Sequence, residues 1–133
     1  MLARLALAFA CALVVGCGDG AHACVKDLPS SCDPLYPPEF HELFTRTLHP
    51  TCAVAGPSCH SSEGGKGGMV YETEDVAYSL LLERAVVPGD PACSLVVEKL
   101  TSSDPTFQMP PGAPLSPAEQ CVVISWIRDG AKP

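Results

Sequence analysis

Large rings are scarce in this chain. Its 133 residues include four Phe, three Tyr and one Trp, 6% in all. A small domain buries only a modest share of its surface, and aromatic side chains normally supply much of that burial. Basic residues are few as well, 8 Lys and Arg against 15 Asp and Glu, a net charge of −7. Such a surface repels a phosphate backbone, so no nucleic-acid partner is expected. No stretch alternates apolar and polar residues for long, which argues against strands. The longest apolar run, Leu5–Val15, has 11 residues, too few to span a bilayer as a helix. There is no phosphate loop, dinucleotide fingerprint, Ser–His–Asp arrangement or catalytic carboxylate pair, so no enzyme chemistry is indicated.

What is present begins with that run. One basic residue, Arg4, precedes it, as in a secretory signal peptide. Leu13-Val14-Val15-Gly16-Cys17 closes it and resembles a bacterial lipobox, which implies lipidation of Cys17 after loss of residues 1–16. Ordinary cleavage near Ala21 or Ala23 is the alternative. A lipidated Cys17 would anchor the chain to a membrane from the periplasm or cell envelope. The remaining chain would carry 7 basic and 15 acidic residues, net −8, suited to a basic protein partner or to none that is charged. Cys11 leaves with the signal, so six cysteines remain: Cys24, Cys32, Cys52, Cys59, Cys93 and Cys121. An even number in a short exported chain points to disulfides, covalent haem or both, and six thiols pair in fifteen ways.

Residues 17–38, rich in Gly, Ser, Asp and Pro, read as a flexible tether that a Cys24–Cys32 bridge would clip. The folded domain is expected over 39–133 as an all-α bundle of four short helices with long loops. Phe40, Leu43, Phe44, Thr47 and Leu48 fall at helical spacing, and Pro50 is expected to end that helix. SSEGGKGG at 61–68 reads as a flexible loop with no regular structure. In the second helix Thr73 is the expected N-cap, Val76, Leu80 and Leu81 lie among the apolar positions, and Glu72, Glu74 and Asp75 favour the dipole at its start. Asp90 and Pro91 predict the start of a third helix, with Leu95, Val96 and Leu100 as its stripe. Residues 102–114 are too rich in proline for helix or sheet. Ser116, Pro117 and Glu119 form a capping-box signal for the last helix, which Gly130 should end. Cys93 and Cys121 lie on the third and fourth helices, and their pairing would staple the two together. With so few rings, a cofactor or several disulfides is expected to complete the interior.

The stretch Cys52–His60 reads CAVAGPSCH, a cysteine directly before a histidine with a second cysteine upstream. Covalently held haem usually shows this pattern with a two-residue spacer. Taken with PGDP at 88–91, Met109-Pro110-Pro111 and a final helix ending in Trp126-Ile127 and Gly130-Ala131, residues 40–132 resemble small class I c-type cytochromes. The resemblance implies haem c held by thioether bonds, one-electron transfer, and a redox protein as partner. Residue by residue, it implies His60 as the proximal iron ligand, Cys59 as an attaching cysteine and Met109 as the distal ligand. Imidazole and thioether together suit low-spin iron and raise its potential. The bland reading of Met109 is a side chain packed in a stiff loop.

The spacer departs from the family pattern. The first attaching cysteine should stand at position 56, where this chain has Gly56, and Cys52 lies four residues earlier. AVAGPS could bulge so that Cys52 still reaches the porphyrin, or Cys59 could hold haem alone. In a haem-free alternative, Cys52 and Cys59 close a disulfide loop and the fold serves as a stapled structural or interaction module. The spacing is poor for zinc. His41 and His49 are substitute iron ligands or ordinary surface residues. Met69 reads as an apolar plug.

Overall fold

Ser116 and Glu119 form the capping box that the sequence signalled. The Ser116 hydroxyl accepts from the Glu119 N–H (3.3 Å), and the Glu119 carboxylate accepts from the Ser116 N–H (2.8 Å). The computed structural model describes residues 23–133, with helices α1 (Phe40–Leu43), α2 (Glu74–Arg84), α3 (Leu95–Thr101) and α4 (Pro117–Arg128). Among the described residues there are no strands, so the fold is all-α. The signal segment, Cys17 and the first part of the expected tether lie outside them.

The capped helix α4 forms the centre, packed against both α1 and α3. It buries Val122, Val123, Ile124, Trp126 and Ile127. The Phe40 ring lies 5.2 Å from that of Trp126 and 4.9 Å from that of Tyr78, within favourable range for aromatic pairs. Gly130, at φ 98°, ends the helix and turns the chain back. Trp126 Nε1 then donates to the Lys132 carbonyl (2.7 Å), and the Tyr78 hydroxyl donates to that of Ala131 (3.0 Å). The few rings available are thus concentrated in one cluster.

Pro50 does not end the first helix. From α1 the chain continues as a π-helix, Phe44–Cys52, in which the Ala53 N–H reaches the Leu48 carbonyl (3.0 Å). In an α-helix the Pro50 ring would press on the carbonyl of Arg46, four residues back. The wider π turn relieves that contact, and π segments frequently occur at functional sites. Phe40, Leu43, Phe44, Thr47 and Leu48 are all buried, as their spacing required.

Two other helices differ in detail from expectation. On α2 the inward residues are Ala77 and Leu81, while Val76, one position round the helix, is 44% exposed. Thr73 sits at the N-cap but makes no side-chain capping bond. Ser94 rather than Asp90 precedes α3. Asp90 instead accepts from the Cys93 N–H (3.1 Å) in a turn before the helix. Ser94, fully buried, donates to the Asp90 carbonyl (2.8 Å) and accepts from the Val87 N–H (2.9 Å). Two competing local partners thereby delay the helix by one turn.

The disulfides join Cys24 to Cys93 and Cys32 to Cys121. Neither pair is one the sequence suggested. Residues 24–38, read as part of a tether, run back along the helical body and supply one cysteine to each bridge. Val25 N–H bonds to the Ala92 carbonyl (2.8 Å) and Leu35 N–H to that of Ala118 (3.1 Å). The Arg128 guanidinium donates to the Pro29 carbonyl (3.0 Å), and the Tyr36 hydroxyl bonds to that of Thr47. The strap is therefore fastened along its length. The bridges span sequence separations of 69 and 89 residues, and loops of this size restrict the unfolded chain by about 4 kcal/mol each in the chain-entropy account. The loops overlap, so the two effects do not simply add.

Peptide mapping of the non-reduced protein should recover the 24–93 and 32–121 links, and the Cys32→Ser/Cys121→Ser variant should lose several kcal/mol of stability. A 24–32 or 93–121 link would contradict this arrangement.

Candidate functional site

The six residues between Cys52 and Cys59 fold outward as a closed loop. The His60 N–H donates to the Cys52 carbonyl (3.0 Å), which fixes the two ends side by side. Gly56, at φ 119°, takes a turn conformation that a side chain would resist. The Ser61 hydroxyl donates to the Gly56 carbonyl (3.3 Å) from below. On the other side, Lys66 N–H bonds to the Cys59 carbonyl (3.3 Å) and Tyr71 N–H to that of His60 (2.7 Å). The glycine-rich stretch is not wholly irregular, since Lys66–Gly68 forms a short 3-10 turn. Gly64 packs against this loop so closely that a Cβ would lie 2.3 Å from the Cys59 carbonyl oxygen and 2.8 Å from that of Gly56.

The π-helix delivers Cys52 to the wall of a cavity of about 400 Å³, and the closed loop delivers Cys59 and His60 to the same wall. Met109 enters from the proline-rich loop, where its N–H bonds to the Lys99 carbonyl (3.0 Å). All four residues that the sequence singled out for haem therefore line one space. Leu43, Leu48, Leu81, Leu95, Leu100 and Trp126 give it apolar walls. Its volume lies within the ordinary range for cofactor sites. Exposed lining residues, among them Ser58, Gly67 and Pro111, mark its open rim.

His60 Nδ1 lies 3.0 Å from the Lys66 carbonyl, which can only accept. The proton is therefore on Nδ1, and Nε2 keeps its lone pair, as in metal-ligating histidines. Burial lowers the His60 pKa, against the opposing pull of the Met69 and Lys66 carbonyls, and the Lys99 charge lowers it further. The neutral imidazole that binds metals is thus favoured. Tyr71, buried, lies with its ring 4.9 Å from that of His60 and limits how the imidazole can tilt. Burial, with the neighbouring Cys59, pushes the Cys52 thiol up to about 12. Burial also raises the Tyr71 hydroxyl, with Cys52 adding to the shift.

Cys52 and Cys59 are both free thiols, so neither is consumed by the disulfides of the strap. His41 and His49 are away from the cavity lining: His41 pairs with Glu74 (3.1 Å), and the His49 ring packs 5.5 Å from that of Phe44. Met69 is buried and also lines the cavity, so it plugs the space from the side. Among the described residues no three His, Cys, Asp or Glu side chains group as ligands for a metal ion. Such a group is not required for haem, where the porphyrin supplies four ligands and the chain two. Two thiols, one neutral imidazole and one thioether around an apolar space fit a c-type haem. Sequence reasoning missed Lys66, Tyr71, Arg84 and Lys99 in the lining. Only Lys99 had a local signal, four residues beyond Leu95 on the same face of α3.

Residues 57–112 match the family described as Planctomycete cytochrome C. This segment includes Cys59, His60 and Met109, begins after Cys52, and supports a cytochrome c-like domain. No curated protein and no solved structure matches the chain.

The Gly64→Ala variant should lose about 1–3 kcal/mol of stability through overpacking against the loop, with faster hydrogen exchange at the His60 amide. Unchanged melting and unchanged exchange at His60 would show that the loop is not held as described.

Proposed function

We propose that this chain binds one haem c and transfers single electrons, with no bond-breaking chemistry of its own. The observation that carries this reading is the convergence of Cys52, Cys59, His60 and Met109 on one apolar cavity. Bound there, haem supplies a one-electron iron couple whose potential the protein sets. His60, oriented by the Lys66 carbonyl and the Tyr71 ring, offers Nε2 to the iron. Met109 offers a thioether from a loop stiffened by Pro110 and Pro111, and a Met/His pair favours a high potential. Cys59 and Cys52 tether the porphyrin, the outward bulge of AVAGPS compensating for the long spacer. Leu43, Leu48, Leu95 and Leu100 exclude water and lower the local dielectric.

The same reading places the protein in the periplasm or cell envelope, anchored by lipid on Cys17, with a redox protein of basic surface as partner for the acidic chain. The free thiols at Cys52 and Cys59 favour haem attachment over a purely disulfide-stapled module, since the stapling uses the other four described cysteines.

Protein made in a host with haem-attachment machinery should be red with a sharp Soret band, and His60→Ala should abolish that spectrum. Met109→Ala should retain haem but lower the midpoint potential by on the order of 100 mV. A colourless native protein in which Cys52 is bonded to Cys59 would replace this function with the haem-free module.

A further inference from the structure

The charge around the cavity is opposite to that of the chain. Of the seven basic side chains in the described residues, Lys66, Arg84 and Lys99 line the cavity. None of the fourteen carboxylate side chains in the same residues does. In a protein of net charge −7 this separation is the reverse of what the composition favours. The three cations come from different elements: Lys66 from the 3-10 turn, Arg84 from the last turn of α2, and Lys99 from α3. Backbone contacts hold two of these positions. Lys66 is bonded through its N–H to the Cys59 carbonyl and through its carbonyl to His60, and the Lys99 carbonyl accepts from the Met109 N–H.

The side chains of Arg84 and Lys99 are also placed. The Arg84 guanidinium lies over Gly68, where a Cβ would come within 2.7 Å of it, so the absence of a side chain at 68 makes room for the cation. Lys99 Nζ stands 3.8 Å above the Phe107 ring, a cation–π contact that restricts where the ammonium can sit. Glu83 is the acid paired with Arg84, at 3.4 Å, in an exposed pair that competes weakly with another anion.

We infer that Lys66, Arg84 and Lys99 form an anion-binding rim, and that the cavity takes an apolar ligand carrying carboxylates at one edge. This rests on the haem reading for the ligand's identity, since haem carries two such carboxylates, but the rim's preference for an anionic edge can fail separately. A neutral porphyrin or an uncharged apolar ligand would bring no anion to these three cations, whose own contacts include the exposed Arg84–Glu83 pair and the Lys99–Phe107 cation–π contact. Carboxylates bound at this edge would also offset the positive charge of the rim near His60.

The test titrates the haem-free full-length protein with haemin and with haemin dimethyl ester, following the Soret band. The diester should bind about tenfold more weakly. The preference should shrink in Lys66→Gln, Arg84→Gln and Lys99→Gln variants and disappear in the triple variant. Equal affinity of the wild-type protein for haemin and its diester would overturn the rim while leaving the haem reading intact. Failure of both to bind would show that no porphyrin enters this space unaided, and the haem reading would then be decided by protein from a host able to attach haem. In that event a long-chain fatty acid binding better than its alcohol, through the same three cations, would sustain the rim alone, and no such preference would overturn it too. The wild-type comparison needs no variant to fold.

Discussion

One backbone hydrogen bond organises the site. The His60 N–H donates to the Cys52 carbonyl and brings together the two ends of a loop that is four residues longer than the usual haem-binding spacer. Without that closure, the extra residues would separate Cys52 from Cys59 and His60. With it they bulge away from the cavity, and the ends of the loop occupy one wall. Gly56 and Gly64 allow the closure for different reasons, Gly56 through its positive φ and Gly64 through close packing against the Cys59 and Gly56 carbonyls. The π-helix before the loop contributes as well, since it carries the chain past Pro50 and ends on Cys52.

The remainder of the structure holds this arrangement still. Helix α4 gathers the scarce rings into the Phe40–Tyr78–Trp126 cluster, so part of the interior is packed by side chains alone. The cavity lies beside that cluster, with Trp126 contributing to both. The strap crosses to the opposite elements through two disulfides and reaches the π-helix through the Tyr36–Thr47 hydrogen bond. Thr47 itself lines the cavity. The cross-links therefore restrain the walls of the site as well as the fold as a whole.

Much of this was legible in the sequence where the signal is local. The capping box at Ser116 and Glu119, the buried spacing from Phe40 to Leu48, and the Cys59-His60 dipeptide all depend on neighbours within a few residues. The disulfide partners were not legible, because Cys24–Cys93 and Cys32–Cys121 depend on the path of a strap without periodicity. The start of α3 was misplaced because Asp90 and Ser94 compete for backbone groups, and burial of Ser94 decides between them. Nor did the sequence indicate that Pro50 would sit inside a π-helix, since proline ordinarily stops a helix. The basic rim was hidden because Lys66, Arg84 and Lys99 are far apart in sequence and meet only around the cavity.

Under the proposed function, the 52–60 loop grips a porphyrin covalently. The most direct test is the intact mass of native protein after denaturation and reduction, which removes disulfides and any haem held without a covalent bond. The polypeptide should be heavier by one haem, with the added mass on the peptide that contains Cys52, Cys59 and His60. A bare polypeptide mass, from cells able to attach haem, would contradict it.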